Sequence, residues 1–299
     1  MAHKRWAREM PLHLLVWTGL AFVLVFCYGP MVGIVIAFQR FLPTNGLFNS
    51  RWIGFDNFRQ IAEMPDTTRV IFNTVYIAVM KMVAGLIAPI TMALLLNEIA
   101  QKAFKRTVQT IIYLPHFLSW VILSGVLIDI LSPNFGIVND LLGSLGMPHV
   151  YFLGDEKWFP FVLVGTDVWK EFGFSTIVFL AALTGINPAL YEAAVIDGAS
   201  RWKQTLYITL PGIVPIMVLM ATLSLGNVLN AGFDQVFNLY NPSVYSTGDI
   251  LDTYVYRMGL QNFQFGVATA VGLFKSAVSF VLISVSYVLA YRFANYRIF

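Results

Sequence analysis

The sequence predicts an all-α polytopic membrane protein with six spans, and three observations carry that fold class. Of its 299 residues, 58% are hydrophobic and only 12% are charged. That is too little charge to coat a soluble domain of this length. Several predominantly apolar runs are long enough, at about 1.5 Å per residue, to cross about 30 Å of hydrocarbon. The basic residues gather beside those runs, so the net charge of +3 makes no case for a nucleic-acid partner; the expected surroundings are membrane lipid.

The first span is expected over residues 12–38, bent at Gly29-Pro30. Lys4, Arg5 and Arg8 precede it, but the apolar run is longer than a signal-peptide core of about 7–15 residues, so it is retained as a span. The single cysteine, Cys27, lies in this run and precludes an intrachain disulfide. Leu24-Val25-Phe26-Cys27 lacks the small residue that a lipoprotein cleavage box needs at the position of Phe26. Cys27 therefore reads as an inert membrane-buried thiol.

The remaining spans are expected over 70–96 with Pro89 near its inner end, 108–131 containing Pro115, 158–185, 212–235 and 263–291. Proline inside a span is tolerated where neighbouring helices or waters satisfy the freed carbonyls. Nothing suggests a soluble domain, so residues 1–299 form one membrane domain. Orientation follows the basic residues. With the N-terminus inside, the inner segments hold Lys4, Arg5, Arg8, Lys102, Lys105, Arg106, Arg201, Lys203, Arg292 and Arg297. The outer ones hold Arg40, Arg51, Arg59, Arg69, Lys157 and Arg257, so the bias is ten to six. Both termini and the loop 186–211 then face the cytoplasm. The longer outer loops include a segment from Gly136 to Leu145 whose apolar residues Ile137, Leu141, Leu142 and Leu145 have the spacing of a short amphipathic surface helix.

The loop 186–211 is itself structured. Asn187-Pro188 is a helix start, a capping side chain followed by proline at the first helical position. A helix over 188–197 can be stopped by Gly198 adopting a positive φ. A second short helix, over about 200–208, leads to Leu210-Pro211 and the fifth span. The result is a helix–glycine–helix elbow. Ala193 and Ala194 leave a low surface that a partner's groove can approach closely, and Glu192 projects one anion.

Glu192-Ala193-Ala194, Gly198, Ile208, Leu210 and Pro211 match the E-A-A-x3-G-x9-I-x-L-P signature of permease subunits of ATP-binding-cassette importers. Trp52 to Phe58, Asn73-Thr74, and Arg106 followed by Leu114-Pro115 extend the match over nearly the whole chain. The chain thus resembles the permeases of type I, maltose-permease-like carbohydrate importers. Tyr113 to Ser119, Tyr-Leu-Pro-His-Phe-Leu-Ser, is similar to the LplB-type polysaccharide permease branch, which includes an alginate-oligosaccharide importer. The resemblance implies a subunit of the bacterial cytoplasmic (inner) membrane whose spans 2–6 line half of a translocation path. It implies a second, related permease, two ATP-binding-cassette ATPase subunits that carry ATP and magnesium, and an extracellular or periplasmic solute-binding protein that delivers the carbohydrate. By the same resemblance the elbow enters a groove on the ATPase, with Glu192 facing a basic residue there. The extra N-terminal spans and large outer domain of the longer maltose-type permease are missing from this chain.

Five charges fall inside predicted spans: Lys81, Asp167, Lys170, Glu171 and Lys275. Counted from the outer span ends, they share one depth near mid-membrane. An unpaired charge there costs at least about 2.5–3.5 kcal/mol, so they must face one another or a wet cavity, with Asp167 within reach of Lys170 and Glu171 on its own helix. Two readings follow. The layer is a polar path for sugar hydroxyls, with Trp169 and Phe172 stacking on sugar faces, or it is a salt-bridge cluster that packs the spans.

The four histidines show no ligand-like spacing, so no metal site is expected. No Gly-Lys-Ser/Thr phosphate loop occurs, and energy must come from a partner; the chain is not expected to be an enzyme. The rival classes are a stand-alone secondary transporter using the charge layer as a proton relay, and an intramembrane enzyme built on Asp167 and Glu171.

Overall fold

The computed structural model describes the backbone of residues 2–294 and the side chains of residues 10–288 and 292. The side chains of Lys4, Arg5 and Arg8, and all of Arg297, lie outside the described residues. The chain forms two compact units, Met1–Met64 with Val255–Phe274, and Pro65–Tyr254 with Lys275–Phe299.

In the first unit the apolar run Met10–Phe38 is continuous helix of changing pitch. An α-helix to Val23 passes through a π turn, Leu24–Tyr28, and ends as a 3-10 run, Val32–Phe38. Pro30 has no N–H, and the ladder just before it shifts so that the N–H of Gly29 reaches the carbonyl of Leu24. The expected irregularity at Gly29-Pro30 is thus a change of register. Most side chains of this run are exposed, as befits a helix facing lipid. Gln39–Arg40 pairs antiparallel with Arg51–Trp52 in a two-residue ribbon. Asn57 donates to the carbonyls of Ala37 (2.8 Å) and Gln39 (3.1 Å), while the rings of Phe38, Phe55 and Phe58 pack within 5.6 Å of one another. The Trp52–Phe58 motif therefore anchors the end of the first span.

In the second unit the second span, Pro65–Glu98, and the fourth, Phe159–Thr184, run side by side. Ile77, Leu123, Phe159, Leu163 and Val236 form one core cluster. Ile90, Ala93, Phe179, Leu183 and Ile213 form another. Gly173 makes the contact between the third and fourth spans possible: a Cβ there would lie 1.9 Å from the carbonyl oxygen of Ile112.

Two expected spans need correction. The third, expected as one helix over 108–131, is broken: Lys102–Phe117 and Trp120–Ile130 meet at 104°. Pro115 ends the first piece in a 3-10 turn, Leu118 and Ser119 are extended, and Ser119 caps the second piece by accepting from the N–H of Ile122. The fifth, expected over 212–235, instead runs Arg201–Gly226. The second elbow helix flows into it through a π turn, Thr205–Thr209. The extra residue of that turn shifts the ladder where Pro211 lacks an N–H and its ring needs room. At the other end the chain turns through Asn227–Asn230 and re-forms as a separate helix, Phe233–Leu239.

Among the described residues four helices, Met10–Phe38, Pro65–Glu98, Arg201–Gly226 and Phe265–Val288, are long and apolar enough to cross a membrane singly, and the number is six where each of two bent pairs counts as one span. The amphipathic segment is the helix Ile137–Ser144. Its buried Asn139 bonds both ends of the surrounding loop, donating to Ser132 and Val150 and accepting from the N–H of Val150. Ile137, Leu141 and Leu145 are left exposed as an apolar stripe.

Candidate functional site: the elbow and the intramembrane charges

The elbow is built from local rules. The Asn187 side chain accepts from the N–H of Ala189 at 3.0 Å, and Pro188 opens the helix Pro188–Ile196. The axis of this helix turns 70° from that of the fourth span. At its other end the N–H of Ala199 reaches the carbonyl of Ala194 (2.8 Å) and that of Gly198 reaches Val195 (3.0 Å). This doubly bonded cap requires the left-handed residue between them, and Gly198 supplies it with φ +72°. Ser200 then caps the second helix, accepting from Lys203.

Three contacts brace the elbow, one of them to the second span. The hydroxyl of Tyr191 lies 3.0 Å from that of Thr209, Gln204 donates to the carbonyl of Ala199, and Arg201 bonds Glu98 at the end of the second span at 2.8 Å. They border a groove of about 550 Å³ lined by Asn97, Glu98, Tyr191, Ser200, Arg201 and Gln204. Of the motif residues, Glu192, Ala193, Gly198 and Pro211 are exposed, whereas Ala194, Ile208 and Leu210 are half-buried. Leu210 packs against the core cluster of Ile90, Phe179 and Ile213. Beside Glu192 the elbow exposes Leu190, Val195, Trp202 and Tyr207, with Ile196 at 85%. Apolar side chains gathered this way mark a contact surface.

The intramembrane charges resolve into three closed groups. In the first, Lys81 Nζ meets Asp167 (3.3 Å), the carbonyl of Ala231 (2.7 Å) and the side-chain oxygen of Gln235. Gln235, fully buried, donates in turn to the carbonyl of Leu163 and the hydroxyl of Thr166. In the second, Lys170 Nζ donates to Glu171 (2.7 Å) and to the carbonyl of His116 (3.0 Å), and Glu171 also meets His116 Nδ1 at 2.7 Å. The ring of His116 stacks on that of Phe174, centroids 4.1 Å apart. This group closes the break in the third span, because Lys170 satisfies a carbonyl freed there. In the third, Lys275 pairs with Asp252 at 2.5 Å.

Asp167 therefore pairs across helices with Lys81, and the same-helix contacts expected with Lys170 and Glu171 are replaced. His116, Asp252 and Gln235 escaped sequence reasoning. The signal for His116 was its position one residue after a proline inside a span. Asn227 and Asn230 were polar residues inside the expected fifth span, and they border a cavity of about 320 Å³ together with Lys81, Asp167, Ser224 and Gly232. Trp169, exposed, and Phe172, half-buried, do not line it. A proton relay needs connected charges, and these stand as separate neutralised groups. Among the described residues no set of three His, Cys, Asp or Glu side chains is placed to hold a metal ion.

The arrangement of spans and elbow is shared with known proteins. Protein LplB of Bacillus subtilis (strain 168) is 40% identical over 292 residues, 98% of this chain and 92% of that protein. The polygalacturonan/rhamnogalacturonan transport system permease protein YteP of the same organism is 40% identical over 288 residues, 96% of this chain and 90% of that protein. A solved chain from a bacterial ABC transporter involved in the import of the acidic polysaccharide alginate superposes with a TM-score of 0.90 at 38% identity, covering 98% of this chain and 99% of that one. Residues 85–295 match the family described as the binding-protein-dependent transport system inner membrane component, and the chain belongs to that family, as a multi-pass permease subunit that is not itself an enzyme.

Proposed function

We propose that the chain forms half of the translocation path of an importer for acidic oligo- or polysaccharides. A second, related permease supplies the other half, two ATPase subunits bind ATP and magnesium, and an external binding protein delivers the saccharide. The polygalacturonan/rhamnogalacturonan transport of YteP and the import of the acidic polysaccharide alginate by the solved transporter support the substrate class. The observation that carries the reading is the elbow: a doubly capped turn that exposes Glu192 together with apolar side chains and whose second helix continues through a π turn into the fifth span. A push on the elbow is thereby transmitted along a membrane helix. Glu192, Ala193, Ala194 and Gly198 seat in the ATPase groove, while Ile208, Leu210 and Pro211 join the elbow to the span. The cavity around Lys81, Asp167, Asn227 and Asn230 offers charged and amide groups for sugar hydroxyls.

The test is saccharide uptake and ATP hydrolysis by the complete complex in vesicles with its binding protein. Wild type is expected to hydrolyse ATP faster when the loaded binding protein is present. Glu192→Lys is expected to abolish that stimulation while inserting normally, because reversing one charge of an interfacial pair costs on the order of 2–5 kcal/mol. Normal uptake by this variant would remove Glu192 from the coupling contact.

A further inference from the structure

At the end of the fourth span away from the elbow, Trp158, Phe161, Val162, Gly165 and Thr166 line a groove of about 240 Å³. Their spacing, i, i+3, i+4, i+7 and i+8, puts them along one face of the helix. From Trp158 to Thr166 the strip runs about 12 Å, at 1.5 Å per residue. Two other segments complete the lining, with Val138 on the helix Ile137–Ser144 and Phe152 in the loop that follows. The rings of Phe152 and Trp158 meet edge-on, centroids 5.6 Å apart. The strip is bare at Gly165, where an added Cβ would meet no atom within 4 Å.

The groove offers little to a saccharide. The hydroxyl of Thr166 is already spent, donating to the carbonyl of Val162 (2.6 Å) and accepting from Gln235 (2.7 Å). The other lining side chains are apolar save for the indole N–H of Trp158. Tryptophan, with its apolar body and polar tip, is the residue type that gathers at membrane–water interfaces. The groove also points away from the polar cavity. Asp167, which borders that cavity, follows Gly165 by two residues, so the two directions differ by roughly 160° around the helix. Phe161 beside the groove is exposed, and the helix Ile137–Ser144 adds its exposed stripe of Ile137, Leu141 and Leu145. That stripe suits a helix lying on a membrane surface, so exposed apolar surface is continuous on both sides of the groove.

We propose that this groove holds one acyl tail of a membrane phospholipid, lodged between the fourth span and the helix Ile137–Ser144. Water has no partners in an apolar recess, whereas a flexible hydrocarbon tail fills it without needing a hydrogen bond. Inside a bilayer the tail gains no hydrophobic energy by entering, because its neighbours are already apolar. It gains close contacts with the groove walls, which an empty recess forfeits. Gly165 makes the room, and Trp158 marks the end nearest the head group. A tail held there braces the helix Ile137–Ser144 against the span. The site does not depend on which saccharide the permease carries.

The test places the complete complex in vesicles of phosphatidylethanolamine and phosphatidylglycerol, part of the latter carrying a photoreactive diazirine in mid-tail. The complex is irradiated either in the vesicles or after exchange of bulk lipid for detergent, and labelled residues are read by peptide mass spectrometry. Phe22 of the first span, exposed, reports lipid that is merely adjacent. Val138 and Phe152 are expected to be labelled in both states, and Phe22 only in the vesicles. Gly165→Phe fills the groove from a position with open space around it. It is expected to lose the labelling of Val138 and Phe152 while that of Phe22 in vesicles is retained, and Gly165→Ala is expected to keep all three. Should Gly165→Phe fail to assemble, the wild-type comparison of the two states decides alone. Labelling of Val138 and Phe152 that disappears with the bulk lipid, as at Phe22, would overturn the site. So would unchanged labelling in Gly165→Phe. Groove residues left unlabelled even in vesicles would mean that a protein segment covers them, and would overturn it as well.

Discussion

Lys81 is held by acceptors from three segments: Asp167 on the fourth span, the carbonyl of Ala231 after the fifth, and Gln235 on the helix Phe233–Leu239. Its side chain is 9% exposed, so the bonds stand in a low-dielectric setting where an orphaned partner is costly. Replacing Lys81 by Met is expected to leave Asp167 and Gln235 unpaired and to destabilise the complex by about 3–5 kcal/mol, read as a fall in its thermal midpoint. The double variant Lys81→Met, Asp167→Leu is expected to recover much of that loss, since the buried charge goes with its partner. No recovery would show that Lys81 acts through Ala231 and Gln235. Lys170→Met has a different signature, because Lys170 satisfies the His116 carbonyl at the break of the third span. Faster backbone hydrogen exchange around residues 116–119 is the expected outcome, and unchanged exchange would assign that carbonyl to another donor. Gly198 is the third decisive residue. Its φ of +72° lies where proline, fixed near −65°, cannot go. Gly198→Pro is expected to break the cap and abolish stimulated ATP hydrolysis with insertion intact, whereas Gly198→Ala, at a cost of about 1–2 kcal/mol, is expected to retain part of it.

At the scale of elements, the best-read parts of the sequence were those governed by local rules. The fourth span came out within a residue at each end, and the elbow's cap, proline and glycine all sit where the residues demanded. Asn187→Ala removes the bond to Ala189 and is expected to destabilise the first elbow helix by about 1 kcal/mol, seen as faster hydrogen exchange over 189–193. What failed was governed by tertiary context. Pro115 was seen, but a kink and a 104° break differ only in whether a neighbour such as Lys170 meets the freed carbonyl. The fifth span was placed too late because Leu210-Pro211 looked like a boundary, while a π turn let the helix run through it. For the intramembrane charges, the meeting of Lys81 with Asp167 was legible from residue counts along each helix. Their partition was not, because the direction a side chain faces around the helix depends on which neighbours pack there: Asp167 turns to Lys81, and Lys275 to an Asp252 outside any expected span.

At the scale of the whole molecule, the broken third span decides the topology. If Lys102–Phe117 and Trp120–Ile130 together cross the membrane, residues 132–157 lie opposite the elbow. A pair that entered and returned would leave residues 132–157 on the side of residues 98–101 and carry the elbow to the other face, which the bond between Arg201 of the elbow and Glu98 at the end of the second span excludes. The basic residues favour crossing: Lys102, Lys105, Arg106, Arg201 and Lys203 then share the inner side, as the positive-inside bias requires. Ser144 and Ser200 are both exposed and flank the question. On a Cys27→Ser background, Ser144→Cys is expected to react in intact cells with a membrane-impermeant maleimide, and Ser200→Cys only after the membrane is opened. The reverse pattern would invert the chain in the membrane and put the elbow outside, beyond the reach of a cytoplasmic ATPase. Crossing, by contrast, leaves residues 132–157 on the outer side and the elbow on the inner side. It sets the two at opposite ends of the fourth span, Phe159–Thr184.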